Sequence, residues 1–295
     1  MSSRNLRFAI FGNIYQPKKS SSILKVLACL HDRKAEVYVE NELYDFLVHQ
    51  QQVDIKATKV FVNDDFDADF VISMGGDGTF LRAASMVGNK QIPILGINMG
   101  RLGFLADISA SEIEPMISAL YEDDYTIEAR SVLKVETDGQ PLTGYDCALN
   151  DVAILKRDNA SMISIRVSVD GEYLTTYQAD GLVVSTPTGS TAYSLSVGGP
   201  IIVPGTRVFS MTAVAPHSLN IRPIVIPDNS EISFVVESRS HNFLVALDGR
   251  SEHCSEETRI TLRKAPYYVK VVKRVGQKYF HTLREKMMWG ADQRG

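Results

Sequence analysis

The chain has 295 residues, 44% of them hydrophobic and 22% charged, with a formal net charge of −4. That composition excludes a mostly disordered or collagen-like chain and allows one large or two ordinary domains with a core that needs no disulfide or metal staple. The densest basic stretch, Lys270, Lys273, Arg274 and Lys278, is too thin to track a nucleic-acid backbone, so a small-molecule substrate is expected and no nucleic acid.

In chain order, the apolar run Leu6–Phe11 reads as a buried strand ending at Gly12. Ser20–Leu30 puts Ile23, Leu24, Leu27 and Leu30 on one helical face. Glu36–Val39 reads as a strand and Asn41–Val48 as a helix with Asn41 as N-cap. Strands at Val60–Val62, Asp69–Met74 and Ile92–Ile97 frame a helix at Thr79–Met86. This alternation predicts βαβ units and a parallel sheet over residues 1–108, an α/β domain. One more helix is expected at Ser111–Tyr121.

Beyond it the period changes to two. Ile163, Ile165, Val167 and Val169 alternate and run into Asp170-Gly171, a hairpin signal. Met211–Ala215, Ile232–Val236, Phe243–Leu247, Ile260–Leu262 and Tyr268–Val272 continue the pattern, which predicts an all-β, sandwich-like domain over residues 109–274. Residues 275–295 form a tail with a short helix at Tyr279–Trp289.

Cys29, Cys147 and Cys254 are odd in number and widely spaced, and the histidines lack zinc-site spacing, so neither a disulfide framework nor a metal site is expected from spacing. No stretch of about 18 apolar residues exists and the N-terminal apolar run is short, so no membrane contact is expected and the chain reads as cytoplasmic.

The strongest local signal is Gly75-Gly76-Asp77-Gly78-Thr79, which follows an apolar strand and opens a helix. Consecutive glycines let backbone N–H groups face a phosphate closely, and the helix N-terminus adds partial positive charge. Asp77 puts one carboxylate beside those phosphates, able to hold Mg²⁺ or to take a proton from an attacking hydroxyl. The same residues also read as a tight turn capped by Asp77. Neither a P-loop nor a GxGxxG after the first strand is present.

A second dense segment runs from Asp180 to Ser196, with seven hydroxyl side chains around Pro187 and Gly189 (Ser185, Thr186, Thr188, Ser190, Thr191, Ser194 and Ser196). These can bind a polar ligand such as a nucleotide, with Tyr193 stacking on a base, or they form an ordinary Ser/Thr-rich loop. Asn150-Asp151, set among apolar residues, needs hydrogen-bond partners; ribose hydroxyls or a structural turn would serve.

Together these blocks, with Gly96–Asp107 and Pro216–Val225, resemble the NAD kinases over most of the chain and in the right order. The resemblance implies an α/β domain carrying the glycine loop, an all-β dinucleotide-binding domain, and a tail returning to the first domain. It implies Mg²⁺-dependent transfer of the ATP γ-phosphoryl to the 2′-hydroxyl of the adenosine ribose of NAD, giving NADP, by a homodimer or homotetramer. Asp77 would activate the hydroxyl, while Gly75, Gly76, Gly78 and Thr79 wrap phosphates and Arg82 lies one turn beyond them. Asn150 and Asp151 would bind ribose hydroxyls, and Asp180 would meet the nicotinamide end. Thr191, Ala192, Tyr193, Ser194, Leu195 and Ser196 would line the adenosine pocket, and Asp77, Gly78, Ala215 and Arg250 also belong to the NAD set. The chain departs from the family at Gln178, where many bacterial members carry Arg, and at Arg250, where Gln or His is common. Two other readings compete: a lipid or sugar kinase of the same broad superfamily, and a nucleotide sensor without turnover, against which Asp77 argues.

Overall fold

The computed structural model describes residues 4–14, 20–100, 103–139, 141–157 and 161–288. It divides into two compact units, Met1–Ala129 with Val269–Gly295, and Arg130–Tyr268.

The first unit is built on a seven-stranded sheet. Its order is Lys59–Phe61, Glu36–Glu40, Arg7–Gly12, Phe70–Gly75, Ile94–Asn98, Val269–Arg274 and Tyr125–Arg130. The first five strands pair in parallel, as the strand–helix alternation predicts. Phe70–Gly75 is buried at every position, which suits a central strand covered by helices on both faces. On one face Ile23, Val26 and Leu30 join Ile113, Met116, Ile117 and Leu120 in a shared core. The helix Asp77–Val87 buries Phe80, Ala83, Ala84 and Val87.

The expected boundaries after residues 108 and 274 fall inside this unit. The helix Ile113–Glu122 contributes four buried residues to its core. The strand expected at Tyr268–Val272 forms as Val269–Arg274 and pairs in parallel with Ile94–Asn98. Its adjacent Val271 and Val272 are both fully covered, which marks a buried strand of the parallel sheet and not an alternating one. Asn41 is not an N-cap: Glu40, extended at φ −60° and ψ 138°, precedes the helix Asn41–Asp45, and the Asn41 amide donates to Asp45 at 3.0 Å. A π-helical turn, Phe46–Gln50, follows it. The tail helix spans Tyr279–Met287; its expected end at Trp289 lies outside the described residues.

The second unit contains two six-stranded antiparallel sheets. One runs Glu172–Ala179, Ile163–Val169, Ile232–Glu237, Ile260–Lys264, Leu133–Thr137, Cys147–Ala148. The other runs Ile224–Pro227, Val208–Val214, Gly181–Ser185, Asp151–Lys156, Asn242–Leu247, Arg250–Ser255. Inward positions of both sheets, such as Ile165 and Phe234 from one and Ile154 and Val184 from the other, form one core, the arrangement of a sandwich. The turn at Asp170-Gly171 has φ of 52° and 83°, the doubly positive pair of a type I′ hairpin.

Candidate functional site

The first cluster lies where the order of the parallel sheet reverses. Arg7–Gly12 and Phe70–Gly75 are neighbours there, although five elements of chain separate them. Ligands of open α/β sheets bind at that crevice, beyond the strand carboxyl ends. Gly75 must be glycine, because a Cβ would stand 2.2 Å from Thr79 Oγ1 and 3.2 Å from Asn13. A Cβ on Gly76 or Gly78 would meet nothing within 4 Å, so both face open space. Gly76 caps the helix Asp77–Val87, and its carbonyl accepts from Thr79 and Phe80 at 3.1 and 3.2 Å.

Asp77 sits in the first turn of that helix in a cradle of donors. Its Oδ1 accepts the backbone N–H groups of Leu105 and Ala106 at 3.0 and 3.1 Å. Its Oδ2 accepts the Phe104 N–H at 3.1 Å and the Lys286 ammonium at 3.2 Å. Burial pushes the carboxyl up, but Lys286 and the three N–H groups outweigh it and hold the pKa below the ordinary value. The carboxylate is therefore ionised at neutral pH. Gly103 makes the approach possible, because a Cβ there would lie 2.1 Å from Asp77 Oδ1.

Arg82, expected near a phosphate, turns elsewhere. Its guanidinium binds Glu40 at 2.6 Å and Glu42 at 2.8 Å and donates to the Gly12 carbonyl at 3.0 Å. Glu40 is buried, and burial raises its pKa to about 7 despite that cation. With these three acceptors engaged, Arg82 ties the end of the strand Arg7–Gly12 to the junction of the strand Glu36–Glu40 with the helix Asn41–Asp45, a role that motif spacing alone does not reveal.

The second cluster belongs to the sandwich. Asp248 collects three backbone donors, the N–H groups of Leu149 (2.8 Å), Asn150 (2.8 Å) and Asp151 (3.2 Å). Asp248 returns its own N–H to the Asp151 carbonyl at 3.1 Å. Asp248 and Gly249 have φ of 48° and 82°, so this hairpin tip is also type I′. Asp151 is buried, and burial together with the neighbouring Asp248 charge lifts its pKa to about 7, partly offset by a hydrogen bond from the Tyr193 N–H. That bond ties the Asn150-Asp151 turn to the short helix Tyr193–Ser196. Burial raises the Asp248 pKa against its three backbone donors and the Arg250 charge; Arg250 itself is exposed at the start of Arg250–Ser255 and lies over the Tyr145 ring at 5.3 Å.

The hydroxyl-rich loop is spent largely on itself. Thr186 Oγ1 donates to the Leu149 carbonyl at 2.6 Å, and Ser190 Oγ donates to the Pro187 carbonyl at 2.7 Å. Ser185, Thr186, Ser190 and Ser194 are all fully buried. Ser194 thus faces the interior and not a pocket, while Thr191, Ala192, Leu195, Tyr193 and Ser196 keep exposure. A Cβ on Gly189 would strike the Asn150 carbonyl oxygen at 2.1 Å, so that glycine lets the loop lie on the turn. A dense serine–threonine run signals a loop with many bonds to make; it does not say whether they point in or out.

Asp180 stands apart from this cluster. Asp151 pairs with Ser185, whereas Asp180 precedes Gly181 at the other end of the same strand, five residues and roughly 16 Å away at about 3.3 Å per residue. There it binds Lys156 at 2.7 Å, and its N–H donates to the Val214 carbonyl beside exposed Ala215, whose φ is 45°. Gln178 and Asp180 line an open cavity of about 1010 Å³ together with Lys156, Ser164, Glu237 and Glu256.

Comparison with known proteins gives a consistent result. A family model described as the ATP-NAD kinase N-terminal domain matches residues 8–125, and one described as the ATP-NAD kinase C-terminal domain matches residues 149–274. A protein of Bacteroides fragilis named NAD kinase is 59% identical over 98% of this chain and 100% of its own length. An NAD kinase from Archaeoglobus fulgidus, solved in complex with ATP, has a TM-score of 0.74 at 27% identity and covers 96% of this chain and 99% of its own. Yeast NADH kinase complexed with NADH has a TM-score of 0.86 over 98% of this chain and 89% of its own; at 23% identity, that likeness is one of fold.

Proposed function

The chain belongs to the ATP-NAD kinase family, and from that premise we propose how its residues carry out the ATP-dependent phosphorylation of NAD to NADP. The 2′-oxygen of the adenosine ribose bonds to the γ-phosphorus of ATP, the bond from that phosphorus to the bridging oxygen breaks, and ADP leaves. The hydroxyl proton passes to Asp77 and then to solvent. Gly75, Gly76, Gly78 and Thr79 hold phosphate with the N-terminus of the helix Asp77–Val87. Asn150 and Asp151 accept and donate to ribose hydroxyls. Thr191, Ala192, Tyr193, Leu195 and Ser196 line the adenosine pocket, with Ser194 supporting it from behind. Asp180 and Ala215 take the nicotinamide end, and Arg250 completes the set. The roughly 16 Å between Asp180 and Asp151 suits an extended dinucleotide.

The observation that carries this reading is the cradle around Asp77, a carboxylate kept ionised beside a glycine loop at the switch point of the sheet. Family membership also leads to an expectation of Mg²⁺. The donor set does not fit a resident ion: both Asp77 oxygens already accept two donors each, and among the described residues no group of three His, Cys, Asp or Glu could hold a metal. Mg²⁺ enters this account as part of the ATP complex that is the substrate. Among the described residues no helix is long and apolar enough to cross a membrane, and the three cysteines are unpaired. We read the chain as cytoplasmic and as a homodimer or homotetramer.

Incubation of the pure protein with ATP, Mg²⁺ and NAD should yield NADP, read by an NADP-specific dehydrogenase. A folded protein that binds NAD and forms no NADP would remove the reading.

Asp151 also predicts a pH dependence. Its carboxyl titrates at about 7, and a ribose hydroxyl donates best to the ionised form. NAD should stabilise that form, so its Kd should fall as pH rises from 6 to 8. Asp151→Asn should bind more weakly and lose the slope. Calorimetry showing a flat profile in the native protein would contradict the assignment.

A further inference from the structure

Lys286 lies about two hundred residues from Asp77 in the chain, yet its ammonium stands 3.2 Å from Asp77 Oδ2. It is carried by the last turn of the helix Tyr279–Met287, which is anchored by buried Thr282 and Leu283. The side chain also lies over the Phe104 ring at 4.4 Å, and that ring contacts Tyr279 at 6.2 Å. Phe104 is the residue whose N–H donates to the same Asp77 oxygen. The ammonium is thus aimed by a carboxylate, an aromatic face and a packed helix, all within the first unit.

Charge gives this arrangement a purpose. A polyphosphate entering the Gly75–Thr79 loop meets the negative charge of Asp77 in the first turn of the helix. A cation paired with that carboxylate cancels the repulsion. An ammonium has three donors, and Asp77 takes one. Arg82, the cation on the helix Asp77–Val87 itself, is committed to Glu40, Glu42 and Gly12. On the reading of the glycine loop as the phosphate site, we propose that Lys286 is the loop's phosphate-facing cation. It contacts the polyphosphate of the donor and, in doing so, leaves Asp77 Oδ2 free to accept the substrate hydroxyl proton.

The proposal has two readouts. Lys286→Met should weaken binding of both ATP and inorganic tripolyphosphate about ten- to hundred-fold by calorimetry, since a hydrogen bond to a charged group is lost. NAD affinity should stay within about twofold. Because Lys286 holds the Asp77 pKa down, the acid limb of the kcat profile should move to higher pH in the variant. Lys286→Arg should recover most of the polyphosphate affinity. A folded Met variant, judged by an unchanged unfolding transition, that binds both polyphosphates within about twofold of the native protein would overturn the proposal. If the Met variant loses ATP affinity but keeps tripolyphosphate affinity, Lys286 contacts the nucleoside and the proposal also fails. A native protein that binds neither ligand would remove the loop reading itself.

Discussion

Replacing Asp77 by Asn should lower kcat by about two orders of magnitude or more while leaving NAD affinity within a few-fold. A ribose hydroxyl is a poor nucleophile at neutral pH, and a positioned base is worth roughly 10²–10⁴-fold. Asparagine keeps the shape but removes the charge and the basicity. One of the two side-chain positions that accept N–H groups becomes an NH₂, which repels the backbone donors of Phe104 or of Leu105 and Ala106. The cradle should loosen as well, so the variant needs a thermal unfolding control. The other contacts assigned to NAD, those of Asn150, Asp151, Asp180 and the Thr191–Ser196 segment, are untouched, which is why affinity and turnover should separate. A variant that turns over within a few-fold of the native protein would make Asp77 a capping residue only.

The second large effect is expected at Asp248, which the sequence reading passes over. Asp248→Ala leaves the N–H groups of Leu149, Asn150 and Asp151 without their acceptor. Losing buried partners of this kind costs roughly 2–4 kcal/mol, and part of that should appear as weaker NAD binding because the turn presents Asn150 and Asp151. The charge effect has a definite sign. Asp248 is, after burial, the cause that lifts Asp151, so its removal should bring the Asp151 pKa down from about 7. The inflection in NAD affinity should therefore move to lower pH. Chemical denaturation and pH-resolved calorimetry on the one variant check both halves; unchanged stability with an unmoved inflection would show that Asp248 does not build this turn.

Much of the fold was legible because its signals are local. Alternating strand and helix patterns mark the parallel sheet, and Asp170-Gly171 marks a hairpin from its dipeptide alone. The glycine loop was legible because few chemistries need Gly75, Gly76 and Gly78 around one carboxylate. The misses share a cause: they depend on contacts distant in sequence. Val269–Arg274 looks like one more strand of the sandwich, and only its pairing with Ile94–Asn98 assigns it to the first sheet. Gly103 is a glycine for the sake of Asp77, 26 positions earlier in the chain. The hydroxyls between Ser185 and Ser196 announce hydrogen bonds without direction, and several turn inward to hold the loop on Asn150. One available signal went unused: Asp248-Gly249 between two apolar-patterned strands is the same hairpin dipeptide as Asp170-Gly171.

The central claim is that this chain moves a phosphoryl group from ATP to one hydroxyl of NAD, with Asp77 taking the proton. Phosphorus NMR of the product formed from ATP and NAD tests it most directly, since a phosphomonoester reports its position through coupling to the ribose proton on the carbon that bears it. The account predicts a single new phosphomonoester on the 2′-carbon of the adenosine ribose, equal in amount to the ADP released, and a rate at least about a hundredfold lower with Asp77→Asn. ADP formed without a dinucleotide phosphomonoester, or a phosphate on any other hydroxyl, would contradict it.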